Sequence, residues 1–225
     1  MYPLLAPWKG WLTDYADDSG EMMEAGLIGL LNRATNIAAG HKVVEPTLSA
    51  MSKYPFIYTV EPEQLDLTAQ QARDIREWLR RGGFWMMDDF HGCEERAHVM
   101  AQMELVLGHH VELEPDHNDF TTLTPDHPIF HTLYDIDAIV QVPVIYLGQY
   151  WMYDHTSPTW EAQPPCNAPT IFMWDGGPHD GAILMAWNED LGDGLEHIEN
   201  PTYPAQFSLF SYKFFSNAIL YALSH

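Results

Sequence analysis

Asp88, Asp89 and His91 place two carboxylates and an imidazole within four residues of each other. They directly follow an apolar run, Phe84 to Met87, and a helix that ends on two arginines, Arg80 and Arg81, and two glycines, Gly82 and Gly83. Carboxylates and imidazole together serve two kinds of chemistry. They pass protons as general acids and bases, or they supply oxygen and nitrogen ligands to a cation. In an open α/β sheet, ligands bind in the crevice at the carboxyl ends of strands, so these residues stand where such a protein does its work.

Other acids join them if the loops at that sheet edge converge. Asp14 and Asp17 follow the first apolar segment, and Glu61 follows the run Phe56 to Val60. Asn188, Asp190 and Asp193 follow a late apolar run. Packed carboxylates repel unless they are protonated or share a cation. Asp14, Glu61, Asp88, Asp89 and His91 are therefore the candidate metal ligands. Mg, Mn or Ca suits the oxygen set and Zn suits the imidazole, and such a metal could activate water for hydrolysis. The competing role is structural: Asp88 caps the helix near Glu94 or pairs with Arg81 or Arg96. Asp17, His127, His131, Asn188, Asp190 and Asp193 complete the candidate ligand-binding set. His127 and His131 are four apart and share a face only if helical. Pro128 between them favours a turn.

A thiol mechanism finds no support. Cys93 and Cys166 are the two cysteines, and neither sits in a G-x-C-x-G elbow. Glu94 and Glu95 beside Cys93 would raise its thiol rather than activate it. Free thiols are the expectation, with one bridge allowed.

The elements that must position these groups read as follows. Residues 3–6 and 42–44 are short strands, and 55–60 is a buried strand. Glu21 to Asn36 has a broad apolar face and predicts a helix. Thr68 to Gln71 form a capping-box pattern that opens a helix ended by Gly82 and Gly83. The strand Phe84 to Met87 follows, then a helix from Glu94 to Leu107 and a strand from His110 to Leu113. Pro125 to Tyr134 predicts a loop or short helix, and Ile139 to Leu147 a strand. Residues 148–168 read as an ordered excursion rich in Pro, Trp and Tyr, a candidate interface for a homo-oligomer. Thr170 to Trp174 and Ala182 to Trp187 predict a hairpin, and Phe207 to Leu223 a closing helix. Alternating strands and helices imply one α/β domain, residues 1–225, around a mostly parallel sheet.

Five motifs occur in order along the chain: Thr13-Asp14-Tyr15; Tyr54 to Tyr58 with Glu61-Pro62; Arg81 to Phe84 with Asp88-Asp89-Phe90; Asp126 to His131; and Asn188 to Gly194. Together they resemble the bacterial domain-of-unknown-function family DUF4159, from about residue 11 to the C-terminus. The resemblance implies a glutamine amidotransferase-like, flavodoxin-like three-layer sandwich and brings no established activity. Relatives of this kind suggest the envelope or periplasm. Ala16 and Leu195 depart from the proline and tryptophan expected at those places.

Composition narrows the partners. Ten Lys and Arg against 32 Asp and Glu give a net charge of −22, which excludes a nucleic-acid backbone and disfavours anionic membranes. No apolar run reaches the ~18 residues of a membrane helix. The first residues lack a signal-peptide core, so the expectation is a cytoplasmic protein as written. Its partner is a small molecule or a protein. Two functions follow: a non-catalytic ligand-binding or assembly module, or a divalent-metal-dependent hydrolase working in the acidic crevice.

Overall fold

The computed structural model describes residues 2–5, 27–29, 31–32, 40–111, 119–177 and 180–224. Asp14 and Asp17, most of the helix expected over 21–36, and the end of the strand expected at 110–113 lie outside these residues. The described strands are β1 (Tyr2–Leu5), β2 (His41–Val44), β3 (Phe56–Val60), β4 (Phe84–Asp88), β5 (Thr121–Thr122), β6 (Thr170–Asp175) and β7 (Ala182–Trp187). The helices are α1 (Leu48–Met51), α2 (Ala69–Leu79), α3 (Gly92–Leu107), α4 (Ile145–Tyr153), α5 (Leu191–Glu196) and α6 (Ala205–Ser224).

The strands form one sheet in the order β2-β1-β3-β4-β7-β6-β5. Pairing is parallel from β2 through β7, with Phe56 opposite Phe84 and Phe84 opposite Ala182. β6 then runs antiparallel to β7 and β5 antiparallel to β6. The sheet is thus mixed, because the β6–β7 connection is a hairpin rather than a crossover.

The central strands look continuously apolar because both of their faces are covered. Phe56, Tyr58, Val60, Phe84, Met86, Leu184 and Ala186 face one core, where α6 contributes Phe207, Phe214, Phe215 and Ile219. Ile57, Trp85, Met87, Ile183, Met185 and Trp187 face the other, where α2 and α3 contribute Ile75, Trp78, Val99 and Met103. This strict alternation makes three layers, helix on sheet on helix.

Local signals set the element ends. Thr68 accepts from the Gln71 N–H in a full capping box at the start of α2, which satisfies donors that the helix leaves open. Gly108 ends α3 at φ 82, a left-handed conformation that glycine adopts without penalty. Gly181 packs so closely on the Gly83 carbonyl that a Cβ would sit 1.7 Å from its oxygen.

The stretch expected as a strand over 139–147 has no regular structure up to residue 144 and then enters α4, whose helix begins at Ile145. Pro143 interrupts the apolar run and cannot donate to a ladder. The region around His110 forms no strand among the described residues. The loop at 190–194 is the start of α5, which the glycines at 192 and 194 obscure in the sequence.

Candidate functional site

Three strands end level at one edge of the sheet, and the next residue of each is neither glycine nor extended. Glu61, Asp89 and Asn188 have φ of 44°, 59° and 59°. Such left-handed residues are uncommon and persist where surrounding structure holds them. Here the backbone does so. Glu61 N–H donates to the Asp88 carbonyl, Asp89 N–H to the Glu189 carbonyl, and Asn188 N–H to the Phe90 carbonyl.

Several predicted ligands are committed to this framework. Asp88 is fully buried. The Tyr58 hydroxyl donates to its Oδ1, and the Leu191 and Gly192 N–H groups donate to its Oδ2 at 2.7 and 3.2 Å. Asp88 therefore caps α5, not the helix near Glu94. Both of its oxygens accept from protein donors. Burial holds its carboxyl well above the usual range, against the pull of the Tyr58 hydrogen bond. Asn188 is a clip: its Oδ1 accepts from Gly92 N–H at 2.8 Å and its Nδ2 donates to the Ala168 carbonyl at 2.8 Å. Asp190 Oδ1 accepts from Asp193 N–H, and Asp193 Oδ2 accepts from Ile145 N–H at 2.6 Å. Glu61 Oε2 accepts from the Gln64 side chain.

His127 and His131 lie elsewhere. His127 Nδ1 accepts from Ile129 N–H, and its ring leans on Tyr221. His131 holds Asp135 at 2.9 Å and the Pro125 carbonyl at 2.8 Å. They brace a short 3-10 turn, Pro128–His131, and none of these contacts is with a residue at the strand ends.

What remains at the rim centres on His91. Its Nε2 lies 3.0 Å from Asp89 Oδ1 and 3.7 Å from Glu161 Oε1. Its backbone N–H donates to Glu95. Its Nδ1 and the Oε2 of Glu63 are buried without a hydrogen-bond partner among the described residues. Burial lowers the imidazole's pKa, but the hydrogen bond to Asp89 and the charges of Glu161, Asp89 and Glu95 outweigh it, and the net direction is up. Burial, then the charges of Glu95 and Asp89, raise Glu63 to about 7. Burial also raises Glu161, with Asp89 and Glu95 adding and His91 opposing. Asp190 is held well above the usual range by burial, then by Asp89 and Asp193. The rim is an acid cluster with one imidazole to offset it.

Glu63, Glu95 and Glu161 were not singled out in the sequence. Glu95 had a signal, four residues after His91 in the first turn of a helix. Glu161 had none, because the segment that carries it comes from 70 residues away. A disulfide between Cys93 and Cys166, Cα atoms 5.5 Å apart, ties that segment to the start of α3. The expected free thiols are thus a bridge. Among the described residues, one trio of ligand-type atoms lies within 4.8 Å of one another: Asp193, Glu196 and His197. Burial lowers the His197 imidazole from its ordinary value.

Residues 13–223 match the model of the family described as "Domain of unknown function (DUF4159)". The chain belongs to the DUF4159 family. The matched part of this DUF4159 chain contains Glu63, Asp89, His91, Glu95, Glu161 and Asp190, the whole described rim. No curated protein matches it. Among solved structures it is similar to "Cytoplasmic Protein STM3548 from Salmonella typhimurium", at 12% identity and a TM-score of 0.47 over 98% of each chain. No helix among the described residues of this DUF4159 domain is long and apolar enough to cross a membrane.

Proposed function

We propose that this chain is a non-catalytic ligand-binding module whose acidic crevice takes a cationic ligand. The observation that carries the reading is the rim itself. Asp89 and Glu161 close on one imidazole at 3.0 and 3.7 Å, with Glu63, Glu95 and Asp190 as further acids around them. Crowded carboxylates raise one another's pKa, and a bound cation relieves that repulsion. Both cysteines are consumed in the bridge, so no thiol is left to act as a nucleophile.

The strand order supports the flavodoxin-like, glutamine amidotransferase-like reading. The parallel set β2-β1-β3-β4-β7 follows the doubly wound 2-1-3-4-5 pattern, whose ligand crevice lies at the carboxyl strand ends. The disulfide favours an oxidising compartment such as the envelope over the cytoplasm. A second reading, a divalent-metal-dependent hydrolase, draws on the trio Asp193, Glu196 and His197. An imidazole beside two carboxylates suits Zn or Mn.

The test is thermal unfolding of chelator-treated protein with added Mg, Mn, Ca or Zn, for wild type, Asp89→Asn/Glu161→Gln and His197→Ala. The binding reading expects at least one ion to raise the wild-type midpoint and to lose that effect in the rim variant. A shift abolished only by His197→Ala moves the site to the trio and favours the hydrolase. No shift with any ion overturns cation binding.

A further inference from the structure

α4 presents a row of tyrosines to solvent. Tyr146, Tyr150 and Tyr153 are 52%, 62% and 86% exposed. At 3.6 residues per turn, their spacing of four and three places them within about 60° of arc, along about 10 Å of helix. The opposite face is anchored, with Gly148 against Tyr203 and Trp151 on Phe207. The row therefore has a fixed support rather than a loose loop.

The row begins at the acidic rim. Val144 N–H donates to Glu161 Oε1 at 3.2 Å, and Ile145 N–H donates to Asp193 Oδ2 at 2.6 Å. Two carboxylates thus hold the start of the helix, one residue from Tyr146. Glu161 also closes on His91, which links the start of the tyrosine row to the acidic rim.

We propose that α4 and the adjoining rim form a docking surface for a Lys- or Arg-bearing segment of a partner protein. This rests on the cationic-ligand reading above and names its ligand class. Three observations select the occupant. Tyrosine faces attract guanidinium and ammonium groups. Carboxylate and carbonyl-type oxygens accept hydrogen bonds, so the complement of a surface rich in them is rich in donors. A row about 10 Å long exceeds one ion or one amino acid and matches successive side chains of a peptide. Charge argues against a second copy of this chain, since each copy carries −22.

The experiment is fluorescence anisotropy with a labelled peptide of alternating Arg and Ser, at about 0.15 M salt to screen diffuse attraction. It uses wild type, Tyr146→Ser/Tyr150→Ser/Tyr153→Ser, the matching Tyr→Phe triple, and Asp89→Asn/Glu161→Gln. The Ser triple is expected to lose about tenfold or more in affinity while the Phe triple keeps it, because the ring faces carry the attraction. The Ser triple is also expected to keep the ion-induced thermal shift. Unchanged peptide affinity in the Ser triple, with the ion shift still lost in the rim variant, overturns the docking surface and leaves the crevice reading intact. An absent ion shift with peptide affinity indifferent to both sets overturns both readings. A wild-type dimer by sedimentation that the Ser triple dissociates makes the occupant a second copy and overturns the proposal.

Discussion

Asp88 shows how a carboxylate at a strand end can be taken up by the framework. It follows the run Phe84 to Met87 and precedes Asp89, yet the two acids have opposite fates. The pleat sends Asp88 to the α6 side with Phe84 and Met86, and the left-handed turn at Asp89 brings that carboxylate to His91. Sequence alternation foretells the first fate, whereas the second depends on a backbone conformation that residue types do not announce. Removing Asp88 tests its framework role. Asp88→Ala strands two buried N–H groups and the Tyr58 hydroxyl, at a cost of about 3–5 kcal/mol. Asp88→Asn keeps an oxygen for the two N–H groups, loses a carboxyl that burial disfavours in its charged form, and is expected within about 1 kcal/mol of wild type. Urea unfolding of the two variants separates them. Equal losses would mean that the charge, not the capping geometry, holds α5.

At the scale of elements, the parallel part of the sheet was legible because its strands bury both faces and its helices carry caps and terminal glycines. α2 with its capping box, the β6–β7 hairpin and the closing α6 follow from such local signals. α4 was not legible: it is apolar all round its start, and that composition serves a strand as well as a helix. The candidate site was only partly legible for a related reason. Asp89 and His91 come from one strand end, but Glu161 comes from the excursion, and cysteine pairing cannot be read from two residues alone. The bridge closes a long loop, with 73 residues of sequence separation. Constraint of the unfolded chain alone is worth about 4 kcal/mol for such a loop. Cys93→Ser/Cys166→Ser is expected to lose about 2–4 kcal/mol in urea unfolding. The oxidised wild type, treated with reductant, is expected to fall to the same midpoint. A reductant effect on the serine variant would show that the loss is not the bridge's.

For the whole molecule, charge is the dominant fact. Ten cations face 32 acids, and self-repulsion of this kind opposes the compact state. The rim concentrates it, and the sign of its pH dependence follows from two groups. Glu63 stands at about 7 in the folded protein against 4.5 as its ordinary value. Between those values the folded state keeps a proton that the unfolded state has released, so stability falls as pH rises through that window and levels off above it. His91 is also raised from 6.5. Its contribution is full below 6.5 and is lost as pH climbs through its folded value. Both groups therefore favour mildly acidic conditions. The urea midpoint is expected to drop between about pH 5 and pH 8. Glu63→Gln is expected to remove about 1 kcal/mol of that drop, with solvent screening of this half-buried side chain included. Salt separates the local from the global part. Raising it to about 1 M shortens the Debye length to about 3 Å and suppresses repulsion among exposed acids. The Glu63 share arises first from burial and survives that screening. If the difference between Glu63→Gln and wild type vanishes in high salt, the raised carboxyl belongs to the diffuse surface charge, and the crevice holds no special proton.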